Sequence, residues 1–172
     1  MKFVYVITAL LIGSFPAWAG GDENLESQPG YVDFGKLAAD YGEPRVMVDI
    51  NESLLKLASA MKHDDPVAEA ALQNIESVRV HVYDTAGDVA AAAQHMQDVS
   101  KVLGDLNWEQ IVRVRESSKK VDVYVKHSED VIHGLTVMKV DGEEAVFVNV
   151  LGDIKPSELS MVMTRVNMDV NL

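Results

Sequence analysis

Between Trp108 and Ile154 the chain reads as four consecutive alternating segments, and that run decides most of what it can fold into. "WEQIVRVRES", "KVDVYVKHSE", "VIHGLTVMKVD" and "EAVFVNVLGDI" place aliphatic residues, mostly valine, at alternate positions. Successive side chains of a strand point to opposite faces, so a period of two marks a half-buried strand. The connections include "SSKK" and "DGEE", both of hairpin length, and Asp141-Gly142 is a strong tight-turn signal. A meander of antiparallel strands is expected over this half.

Two more strands precede it. "RVMVDIN" turns Val46, Val48 and Ile50 one way and Met47 and Asp49 the other; "SVRVHVYDT" sets Val78, Val80 and Val82 against Arg79, His81 and Tyr83. Asn51 is a good N-cap for "ESLLKLASAM", and Asp65-Pro66 restarts a helix in "HDDPVAEAALQNI". Asp88 caps a long helix that buries Val89, Ala93, Met96, Val99 and Leu103 and stops at Gly104. Tyr31, Phe34, Leu37 and Tyr41 are spaced for a short helix or turn over the core. Pro156 opens a last helix, "PSELSMVMTRV", with Leu159, Val162, Met163 and Val166 on one stripe. The order β-α-α-β-α-β-β-β-β-α predicts an α+β, two-layer domain: a largely antiparallel sheet with helices packed on one face. The valines are expected to face those helices. A parallel pairing of the first two strands, in the ferredoxin-like manner, is compatible with this order.

The chain begins "MKFVYVITALLIGSFPAWAGG". Lys2 supplies a positive start, and Phe3 to Phe15 is apolar but short for a bilayer span. Ala17 and Ala19 are the small residues of a cut between Ala19 and Gly20. This is the pattern of a secretory signal peptide, with a membrane anchor as the alternative. Residues 1–19 are therefore expected to be a signal peptide, 20–30 a disordered polar leader, and 31–172 a single α+β domain, periplasmic or secreted. No later stretch is long and apolar enough to span a membrane. The chain has no cysteine, which excludes disulfides, thiol catalysis, cysteine-ligated metal and lipid attachment at a lipobox. Its net charge is −12, and loss of Lys2 with the leader makes it one unit more negative. Such a surface repels nucleic acid and anionic membranes over most of its area and favours cationic partners.

The pieces "RVMVDINESLLKLAS", "IESVRVHVYD", "WEQIVRVRE", "VDVYVK" and "IHGLTVMKVDGEEAVFVNVLGDIKPSELS" resemble an exported bacterial family, the domain of unknown function 4252. The resemblance runs from Val46 to Leu159, and its most specific part is "VFVNVLGDI" followed by "PSEL". It implies a signal sequence and a single domain. Many members carry a lipid-bearing cysteine after the signal; this chain has none, which implies release. The resemblance implies no catalytic residues.

Motifs for chemistry are sparse. There is no G-x-S-x-G elbow, S-x-x-K, Walker loop or G-x-G-x-x-G. No two of the five histidines have metal-site spacing on one element, although His127 and His133 lie across a turn. "HDD" (His63 to Asp65) is better read as a helix break and cap, and "DTAGD" (Asp84 to Asp88) as a turn and N-cap. The methionines sit on apolar stripes as core filler rather than copper ligands. No catalytic residue, metal or cofactor is expected.

The candidate site is the sheet face opposite the valines. It would carry Arg79, Tyr83, Arg113, Arg115, Tyr124, Lys126, Phe147 and Asn149, with Met47, His81 and Ile111. Arg and Tyr are enriched at binding hot spots, though their stems and rings also cover solvent-facing sheets without a partner. The expected function is an exported envelope binding or adaptor module that recognises a protein or anionic polymer. Self-association is possible, and a periplasmic small-ligand carrier or an unrecognised hydrolase are the alternatives.

Overall fold

A computed structural model describes residues 25–60 and 73–156, the side chains of 58–60 excepted. The signal peptide with its Ala19–Gly20 cut, most of "HDDPVAEAALQNI" and all but the start of "PSELSMVMTRV" lie outside the described residues.

Six strands form one sheet: β1 (Val46–Asn51), β2 (Ile75–Asp84), β3 (Glu109–Arg115), β4 (Lys119–Ser128), β5 (Val131–Asp141) and β6 (Glu144–Ile154). The helices are α1 (Phe34–Leu37), α2 (Glu52–Ala60) and α3 (Val89–Asp105), with a 3-10 turn at Ala39–Tyr41. No described helix is long and apolar enough to cross a membrane. The strand order is β1-β2-β6-β5-β4-β3, and every neighbouring pair is antiparallel. The first two strands are thus antiparallel neighbours, not the parallel pair that a ferredoxin-like opening requires. An antiparallel neighbour pair needs its connection to return to the end of the sheet it left.

β2 and β3 run the same way and lie four places apart, about 19 Å at normal strand spacing. Helix α3 joins them, and its 17 residues give about 25 Å of reach. Asp88 caps α3, its carboxylate accepting the Ala91 N–H at 2.9 Å. The helix runs one residue past Gly104 and ends at Asn107, which takes the left-handed conformation at φ 59°. Trp108 N–H then reaches the Leu103 carbonyl at 2.9 Å and Asn107 N–H the Gly104 carbonyl at 3.0 Å. This pair of bonds is a Schellman ending, and the buried Trp108 and Leu103 join the same core cluster, as that motif favours. Lys126 donates to the Leu106 and Asn107 carbonyls, a cation placed at the negative end of the helix.

The hairpin turns follow the sequence. Asp141 Oδ1 accepts the N–H groups of Glu143 and Glu144, both at 3.0 Å, and closes the β5–β6 turn. Residue Asn51 likewise caps α2 through Leu54 N–H at 3.1 Å.

The two sheet faces are the reverse of the expectation. Tyr83, Phe147, Met138 and Tyr124 pack against Ala92, Met96, Val99 and Leu103 of α3 and against Phe34 of α1. The valines lie on the other face. Val48, Val80, Val148, Val137, Val123 and Val112 stand side by side, one from each strand. On one flank run Val46, Val82, Val146, Lys139, Val121 and Val114; on the other run Ile50, Val78, Val150, Leu135 and Val125. Side-chain length explains the choice. The layer under a helix must be filled to close packing, and tyrosine, phenylalanine and methionine reach across it where valine falls short. The alanines of α3 leave room for those rings.

Candidate functional site

Asn149 lies in β6 and is fully buried, at 0 % exposure. Its Oδ1 accepts the Val32 N–H at 3.2 Å. Its Nδ2 donates to the Gly30 carbonyl at 3.0 Å, Thr136 Oγ1 at 3.2 Å and the Leu135 carbonyl at 3.3 Å. Arg79 holds the same segment from the other side, donating to the Val32 carbonyl at 3.1 Å and stacking over the Tyr31 ring at 4.7 Å. Its Nε pairs with Asp49 at 3.1 Å. Gly30 presses on the β5 backbone; a Cβ there would lie 2.0 Å from the His133 carbonyl oxygen. Both residues therefore work as anchors that strap the segment before α1 across the sheet. Gly30, buried and bonded, belongs to the packed body of the protein.

Four of the expected binding residues are thus unavailable to a partner. Tyr83, Tyr124, Phe147 and Asn149 are all buried on the helix-covered face, whereas the expectation placed them on an open one. His81 is buried beside them, its Nδ1 3.2 Å from the Tyr83 hydroxyl and its ring edge-on to Phe34. Its Nε2 has no hydrogen-bond partner among the described residues. Burial, reinforced by the Arg79 charge, holds the His81 pKa below its ordinary value, while Asp49 and Asp33 pull weakly the other way. The unfolded chain therefore binds a proton below about pH 6.5 that the folded chain resists. Stability from this group is fully present above that pH and declines as the pH falls toward the depressed folded value. Urea midpoints at pH 8 to 5 are expected to drop through this window, and His81→Phe to flatten the drop; an unchanged slope in the variant would assign it to other groups.

Of the remaining members, Met47 lies on β1 at the far edge of the sheet and Lys126 on β4 against the end of α3, while Ile111, Arg113 and Arg115 belong to β3. Arg113 and Arg115 alternate along one side of β3, with Ile111 at the register shift between Gln110 and Val112; among the described residues β3 pairs only with β4. Ile111 is 41 % exposed and the Arg113 side chain 57 %. Behind them the fully buried Asp122 receives Arg115 at 2.7 Å, Arg113 Nε at 3.6 Å and Ser100 Oγ at 3.4 Å. Lys120 stands opposite Arg115. Four of the eight residues in "RVRESSKK" (Arg113 to Lys120) are basic and one is acidic, within a chain of net charge −12.

One further constellation was not foreseen. Ser128 Oγ lies 2.6 Å from His133 Nε2, and His133 Nδ1 lies 3.2 Å from Asp153 Oδ1. The register shift between Ile132 and Gly134 places His133 in this position. The order of groups is that of a nucleophile, base and orienting acid. Here, however, the Asp153 side chain is 76 % exposed, and a solvated carboxylate neither fixes the imidazole firmly nor stabilises its charge well. His127 pairs separately with Glu109 at 2.9 Å, so the two histidines that face across the turn have different partners. Among the described residues no three His, Asp or Glu groups are placed to hold a metal ion. A shallow apolar groove of about 240 Å³ lies between the strapped segment and the end of α3, lined by Tyr31, Leu37, Leu103, Leu106 and Trp108 among others.

These features define an α+β domain built on a six-stranded antiparallel sheet. The chain belongs to the domain of unknown function family DUF4252, whose sequence model matches residues 41–162. That span takes in all six strands together with α2 and α3. No curated protein matches the chain.

Proposed function

We propose that this is an exported binding module of the bacterial envelope, with α1 and α3 on one sheet face, that takes up an acidic extended segment of a partner protein along β3. The observation that carries the reading is the exposed, basic β3 edge of a strongly acidic chain. An edge strand offers unpaired backbone groups for strand addition, and alternate side chains give specificity. Arg113 would face an acidic residue of the added strand, and Val112 and Val114, on the other face of β3, the apolar residues that flank it. The groove near α3 is below the usual range for a small-ligand site, which disfavours the carrier. Asp153's exposure disfavours the hydrolase.

Charged residues on an edge strand also serve to prevent self-pairing, and the test separates the two roles. A peptide alternating aspartate with valine is titrated into the mature chain and followed by backbone amide shifts. Shifts centred on β3, with about tenfold weaker binding for Arg113→Glu, support uptake at this edge. Shifts elsewhere, or equal binding by the variant, overturn it. Arg113 is the residue to reverse because its guanidinium is largely in solvent; Arg115 serves the buried Asp122.

A further inference from the structure

The valine face is unevenly exposed. At its β1 end Val46 is exposed, yet in β4 Val123 and Val125 are buried at 8 % and 5 %. Val125 forms a second core cluster with Ile132 and Ile154, and Ile75, Leu135 and Val150 pack against it. Helices α1 and α3 bury their apolar residues in the other cluster, on the opposite face. The second cluster sits where β6 ends, and the chain passes Pro156 two residues after Ile154. Residues 157–172 therefore start beside the most buried corner of the valine face.

Their composition suits that corner. Leu159, Val162, Met163 and Val166 share one helical stripe, and the segment carries only Glu158, Arg165 and Asp169 as charges. At helical rise its length reaches about 24 Å, close to the width of about 24 Å that six strands span. We propose that residues 157–172 fold back over the valine face, seating Leu159, Val162, Met163 and Val166 on β5 and β4 beside the second cluster. The valines then form the floor of a second core whose cover comes from this chain, on the face opposite α3. The proposal concerns a different surface from the β3 edge and stands independently of peptide uptake there.

The chain has no cysteine, so single introduced thiols report cleanly. Val137→Cys lies in the middle valine row and Arg113→Cys on the β3 edge. With residues 157–172 deleted, maleimide labelling at Val137→Cys is expected to rise at least about tenfold, with Arg113→Cys unchanged. A synthetic 157–172 peptide should restore the protection. A rate at Val137→Cys that deletion leaves unchanged overturns the proposal. So does protection in the intact chain that fades on dilution, which would assign the face to a second copy. If the deletion unfolds the domain, the intact chain decides. Val137→Cys paired in turn with Leu159→Cys, Val162→Cys, Met163→Cys and Val166→Cys should give an intramolecular disulfide in at least one pair under mild oxidation. Failure of all four overturns the proposal.

Discussion

Replacing Asn149 by alanine is expected to destabilise the domain by about 3 kcal/mol and to free the segment before α1 from the sheet. The loss follows from what the side chain satisfies. With it gone, the Val32 N–H, the Gly30 carbonyl and the Thr136 hydroxyl lose a partner in a site closed to water. Each stranded buried group costs roughly 1–3 kcal/mol, and partial relaxation keeps the total near the upper end for one group. The urea midpoint measures the stability, and hydrogen exchange at the Val32 amide measures the release. Asn149→Asp should be no better, because it keeps the acceptor for Val32 but loses all three donations and buries a charge. Gly30→Ala should release the same segment from the opposite partner, since its methyl would meet the His133 carbonyl. A midpoint within about 0.5 kcal/mol of wild type for Asn149→Ala, the range of an ordinary surface change, would show that the strap contributes nothing.

The role of Asn149 also marks where sequence reasoning ran out. Alternation in "VFVNV" is clear, and so are the turns and caps made by Asp141, Asp88 and Asn51, because each depends on residues a few positions apart. Which side of the alternation faces the helices is a different question. Val148 and Phe147 are both apolar, so periodicity cannot rank their faces; volume can, and the bulky Tyr83, Tyr124, Met138 and Phe147 share one side. Polarity misled at Asn149 and His81, whose burial depends on partners distant in the chain. Asn149 meets Val32, 117 positions away. The placement of β6 between β2 and β5 is equally non-local, and nothing in the spacing of the strands announces it. The basic edge was legible in part. Arg113 and Arg115 do share a face, but nothing local in the sequence marks Asp122, the acid that pairs with both, as buried.

That acid makes Arg115 a structural residue, with a second large expected effect. Arg115→Ala is expected to cost about 2–3 kcal/mol, somewhat below the 3–5 kcal/mol typical of breaking a fully buried pair, because the arginine side chain is itself 35 % exposed. The cost arises at Asp122. Its Oδ2 loses the 2.7 Å bond to Arg115, and its Oδ1 already accepts no hydrogen bond among the described residues. Arg113, at 3.6 Å and mostly in solvent, compensates weakly. Asp122→Asn should be milder, since it removes the buried charge and leaves Arg115 free to turn into water. The double variant Arg115→Ala with Asp122→Asn should recover part of the loss seen with Arg115→Ala alone, a non-additivity that a double-mutant cycle on urea midpoints measures directly. Strict additivity would mean that Asp122 does not depend on Arg115. The same geometry separates folding from binding at this edge. Arg113→Gln removes the exposed charge, sets no second carboxylate beside Asp122 and leaves the 2.7 Å pair with Arg115 in place, so weakened peptide uptake with an unchanged midpoint in that variant would belong to recognition and not to loss of the fold.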